Sequence, residues 1–94
     1  MSDEAIALCA QYGVRICFAE LGDWGKAELR AEYDPGGPEI RVSQRLPREL
    51  VPFAIGHELY HHREAIGEIA TLPNREAREA AADAFARDLV AKPS

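Results

Sequence analysis

Cysteine is scarce in this chain: Cys9 and Cys17, eight positions apart, are the only two in 94 residues. That is too few for a disulfide framework, and the spacing matches no zinc knuckle. Both are expected as small core residues. Long apolar runs are missing as well. No stretch approaches the roughly 20 residues that cross a bilayer, and the opening Met-Ser-Asp-Glu carries acid where a secretory signal would carry base. The expected location is the cytoplasm, with no membrane partner. Basic charge is in deficit, since 11 Lys and Arg face 16 Asp and Glu for a net charge of -5. Gripping a phosphate backbone takes a field of cations that displaces counterions, so direct nucleic-acid binding is not expected. Internal repeats, linkers and low-complexity tracts are absent too.

What remains is the composition of a folded soluble protein, 47% hydrophobic and 29% charged. The length leaves room for one core, and the chain reads as one domain over residues 1–94. Ser2 or Asp3 can cap a first helix over about residues 3–12, with Ile6, Leu8, Cys9 and Tyr12 mostly on one side and Gly13 as the stop. Val14, Ile16 and Phe18 alternate with Arg15 and Cys17, the period of a strand with one buried face. After turn residues at 21–25, Ala27, Leu29, Ala31 and Tyr33 alternate with Lys26, Glu28, Arg30 and Glu32 in a second strand. Asp34-Pro-Gly-Gly37 makes a hairpin loop, and Ile40 and Val42 mark the returning strand.

Beyond Pro47 the period becomes helical. Leu50, Val51, Ala54, Ile55 and Leu59 point to a core, and Pro52 delays the regular helix to about Val51. It is expected to end near 65–67. A final helix runs from Asn74, a cap, to about Val90, rich in alanine with Phe85 and Leu89 as its bulky members. The fold class is α+β: a small three-stranded, mostly antiparallel sheet packed against three helices, in the order α-β-β-β-α-α.

The chemistry is concentrated in His57-Glu58-Leu59-Tyr60-His61. Residues four apart on a helix lie one turn above the other, so both imidazoles can reach a single zinc ion about 2 Å from each. Glu58, about 100° round from His57, stands beside that ion as a general base. Zinc lowers the pKa of a water from 15.7 to about 7, which provides a nucleophile for a peptide carbonyl at neutral pH. The competing account is a helix that carries two histidines and no ion.

A catalytic zinc takes a third protein ligand. Glu76, Glu79 and Asp83 share one stripe of the last helix. Glu79 is the choice and Glu76 the alternative, because Asp83, one turn on from Glu79, can then accept the free N–H of a ligand histidine. The plainer account makes these acids a solvated face balanced by Arg75, Arg78 and Arg87. His62 is expected at the surface, and Trp24 and Tyr33 in the core rather than in a substrate groove.

The His57–His61 motif, followed eighteen residues later by Glu79-Ala-Ala-Ala-Asp83-Ala-Phe85-Ala86 and then by Leu89 and Pro93, resembles the ImmA/IrrE metallopeptidases. The resemblance implies a reduced, zincin-like fold with His57, His61 and Glu79 as zinc ligands, Glu58 as base and Asp83 behind a ligand. It also implies a protein partner, a repressor-type transcription factor. The expected function is therefore zinc-dependent cleavage of such a repressor, its extended segment pairing with a sheet edge for which Glu39–Ser43 is one candidate. The alternative is a zinc-stabilised antirepressor or regulatory module that binds without hydrolysis.

Overall fold

The computed structural model of the chain describes residues 4–21, 23–24, 27–28 and 31–91, with 23–24 and 27–28 described by backbone alone. The expectations for Ser2 and Asp3 as caps, for Lys26, Leu29 and Arg30 in a strand, for the Trp24 side chain and for Pro93 lie outside the described residues.

Helix α1, Glu4–Tyr12, ends where Gly13 adopts a φ of +71°, a left-handed conformation open to glycine without a Cβ clash. Strand β1 follows at Arg15–Ala19. Strands β2, Asp23–Trp24, and β3, Ala27–Glu28, pair antiparallel in a ribbon of their own. Strands β4, Ala31–Asp34, and β5, Glu39–Ser43, form an antiparallel hairpin. In its turn, the Gly36 N–H donates to Asp34 Oδ1 at 2.9 Å.

The main sheet has the order β1-β5-β4, with β1 parallel to β5 and β4 antiparallel to it. The α+β class and its three-stranded sheet thus stand, with a mixed sheet in place of a mostly antiparallel one. The reason is topological: after β1 the chain crosses to the far side of β5 before it turns back. The expected substrate edge is not an edge. Glu39–Ser43 is the central strand, paired on both sides, and the edges are β1 and β4.

Alternation sends Ile40 and Val42, both fully buried, toward the helices, where they join Cys9, Val14, Ile55, Leu59 and Leu89 in the core. The opposite face is wet. There Arg41 binds Glu32 at 2.7 Å, Glu39 at 2.9 Å and Asp34 at 3.3 Å. Cys17 shares that face and is exposed, not core, because the period that turns Ile16 inward turns Cys17 outward. Phe18, expected to be buried, is 53% exposed on the edge strand β1.

After Pro47, a 3-10 turn at Arg48–Leu50 leads into α2, Val51–Ala65. Pro52 lies in the first turn, where no amide hydrogen bond is lost, and Leu50, placed in the core from sequence, is 39% exposed in the 3-10 turn. The end of α2 is a paired closure. Gly67, at φ +77°, donates to the Glu64 carbonyl at 3.1 Å, and Glu68 donates to that of Arg63 at 3.0 Å. Tyr12 and Arg63 both donate to the Glu68 carboxylate, tying α1 to this corner.

Helix α3, Arg75–Ala91, begins with Asn74 Oδ1 accepting from the Ala77 N–H at 2.7 Å. It packs close against α2 because the contact is made of small residues. Ala82 and Ala86 are fully buried, and a Cβ on Gly56 would lie 3.2 Å from both Cα and Cβ of Ala86. Among the described residues, no helix is long and apolar enough to cross a membrane.

Candidate metal centre

The close approach of α2 and α3 brings two short side-chain pairs face to face. His57 and His61 stand one turn apart on α2, ring centroids 5.1 Å apart, and Glu79 and Asp83 stand one turn apart on α3. Glu79 Oε2 is 2.8 Å from His61 Nε2 and 3.4 Å from His57 Nε2. One ligand atom from each of His57, His61 and Glu79 lies within 4.8 Å of the others. Ligands about 2.0–2.1 Å from a tetrahedral zinc are roughly 3.3 Å apart, so these three residues could hold such an ion with small adjustments. Glu76 is exposed and does not belong to the cluster.

The outer ring nitrogens are also engaged. His57 Nδ1 is 2.7 Å from Asp83 Oδ1, and His61 Nδ1 is 2.8 Å from Glu64 Oε1. An ionised carboxylate only accepts, so a ring whose Nε2 binds a metal would carry its proton on Nδ1 and donate it there, to Asp83 from His57 and to Glu64 from His61. His61 Nε2 is itself within hydrogen-bonding distance of Glu79 Oε2, at 2.8 Å, so that tautomer belongs to the metal-loaded site.

Glu58 is half-buried next to this cluster. Burial pushes its carboxyl up to about 7, with His57 opposing the rise and the charges of Glu79 and Glu32 adding to it. An open cavity of about 480 Å³ adjoins it, lined by residues 31–33 of β4, by Glu58 and His61, and by Arg75, Arg78 and Glu79 of α3. Two of the metal-ligand candidates, His61 and Glu79, the candidate base Glu58 and residues of strand β4 therefore share one depression.

One expectation is overturned here. His62 is 4% exposed, not a surface residue. One step beyond His61 turns it about 100° around the helix, toward α1 and the sheet, because α2 is covered on that side too. Its Nδ1 meets the Tyr33 hydroxyl at 2.7 Å, and its ring sits edge-on to Tyr12 and Tyr33. Burial holds its pKa below the usual histidine value. Tyr33 itself packs against the core and also lines the cavity.

Glu64 and Arg78 were not singled out by the sequence reading as a pair. Arg78, expected to balance a solvated acidic face, donates to Glu64 from Nε at 3.2 Å and from Nη2 at 3.1 Å. The signal available was the position of Glu64 three residues after His61 on the same helix, where side chains are neighbours. Gly56 and the facing alanines carried a signal as well, since a run of small residues permits two helices to touch.

The family model Peptidase_M78, described as IrrE N-terminal-like domain, matches residues 9–91, a span that holds every residue of the cluster. Comparison with curated proteins and with solved structures returned no match.

Proposed function

Because this chain belongs to the IrrE N-terminal-like family of peptidases, we propose that it is a zinc-dependent endopeptidase that hydrolyses a peptide bond in a protein partner, a repressor-type transcription factor. The observation that carries the reading is the convergence of His57, His61 and Glu79 beside the half-buried carboxyl group of Glu58. The acidic net charge favours a protein over DNA as the direct ligand. The repressor class follows from the resemblance in the two helical motifs.

A bound zinc ion would supply Lewis acidity to water and to the scissile carbonyl. The chain supplies the rest. His57 and His61 would hold the ion from α2, and the Glu79 carboxylate would close the set from α3. Asp83 holds the His57 ring in the required tautomer. Glu58 would accept the proton of the attacking water and pass it to the departing amine, a task suited to a carboxylate set beside the ligand histidines. Among the described residues β4 is an edge strand, and an extended substrate segment pairing with it would lay its scissile bond across the cavity.

Glu58→Gln tests the mechanism. The variant should keep its zinc and lose cleavage of the repressor; cleavage at the wild-type rate would refute the role of Glu58. A non-catalytic antirepressor behaves differently: it relieves repression only at stoichiometric amounts, and Glu58→Gln leaves that relief intact.

A further inference from the structure

Glu64 is a nearly enclosed acid, its side chain 3% exposed. Desolvating a carboxylate is costly unless its oxygens are well bonded, and here they accept three hydrogen bonds. Oε1 takes one from His61 Nδ1 at 2.8 Å and one from Arg78 Nη2 at 3.1 Å, and Oε2 takes one from Arg78 Nε at 3.2 Å. An ion pair between two helices alone would not require burial. Burial with this geometry fixes the direction of the His61 ring.

The partner of His57 is arranged differently. Asp83 sits on α3 and is 42% exposed, so its hold on His57 depends on how the two helices pack. Glu64 lies on the same helix as His61, three residues on, where the helix itself sets the separation.

We infer that Glu64 is a positioning residue of the metal centre, which keeps His61 with its Nε2 turned to the ion, while Arg78 from the pocket wall keeps Glu64 in place. This rests on the metal-binding reading of the preceding subsection. Partners of this kind typically change metal affinity by about 10–100-fold when removed.

The test is the affinity for Zn2+, measured by competition with a chelator of known strength, and the visible absorption spectrum of the Co2+ form. Thermal unfolding of each protein in excess chelator gives the stability without metal. Glu64→Ala should lower Zn2+ affinity by about 10–100-fold and alter the Co2+ spectrum. Glu64→Gln keeps an acceptor without the charge and should fall between Glu64→Ala and wild type. Wild-type affinity and spectrum in Glu64→Ala, with only a lower unfolding temperature, would overturn the inference and leave Glu64 as a tie between helices. If Glu64→Ala does not fold, wild-type affinity and spectrum in Glu64→Gln overturn it instead. Failure of the wild-type protein to bind either ion would overturn the metal reading along with this one, an outcome distinct from a Glu64 variant that binds as wild type does.

Discussion

Two charged hubs in the molecule differ in what surrounds them. On the outer face of the sheet, Arg41 gathers Glu32, Glu39 and Asp34, with side chains 22–43% exposed. Between α2 and α3, Glu64 gathers His61 and Arg78 with 3% of its own side chain exposed. The hydrogen bonds are of similar length. Water and salt screen the first hub, so its attraction is weak whatever its geometry. In the second, the acid itself is sheltered although Arg78 is 37% exposed, and its partners include a ring of the candidate metal centre. The lesson is that ion pairs here take their meaning from burial and from what they hold, not from their number.

Substitutions on the inner side of α2 should hurt most. Leu59→Ala, at a fully buried position beneath the motif, is expected to lose about 2–5 kcal/mol of stability, read from the denaturant midpoint. Gly56→Val pushes its new side chain into Ala86 and should lose about 1–3 kcal/mol by overpacking. By forcing α3 outward it should also weaken metal binding, which a conservative change at an equally buried sheet residue, Val42→Ile, should affect far less. On the outer hub, Arg41→Ala should lower the unfolding temperature less than either, and the difference should shrink in about 1 M salt. A comparable loss there would break the contrast between the hubs.

The smallest effect concerns the corner where Tyr12, and after it Arg63, donate to Glu68 and hold its carboxyl below the usual 4.5. A depressed folded-state pKa contributes stability above the unfolded value that is lost as pH falls through the folded one. Wild type should therefore be more stable than Glu68→Gln at neutral pH, with the gap closing below the ordinary 4.5. A gap independent of pH would show that the charge of Glu68 contributes nothing.

Much of this was legible in the sequence because the signals were local. Two histidines at helical spacing, Gly13 as a stop, a helix end near 65–67, Asn74 as a cap and the alternation around Ile40 and Val42 each depend on near neighbours in the chain. The strand order was not legible. Whether β1 lies beside β4 or beyond β5 is decided by the path of the intervening segment, and alternation alone is the same for parallel and antiparallel pairs. His62 was misread because a helix with a covered second side makes that side interior as well, a fact about α1 and the sheet rather than about α2. Glu64 and Arg78 are fourteen residues apart, and only the packing of α2 on α3, allowed by Gly56 and Ala86, makes them partners.

The central claim is that α2 and α3 together hold one metal ion through His57, His61 and Glu79. Its most direct test is the metal content of protein purified without chelator and reloaded with Zn2+, wild type beside His57→Ala, Glu79→Ala and Glu76→Ala. One equivalent in wild type and Glu76→Ala, with loss of tight binding in His57→Ala and Glu79→Ala, is the expected result. Full occupancy in Glu79→Ala, or none in wild type, would contradict it.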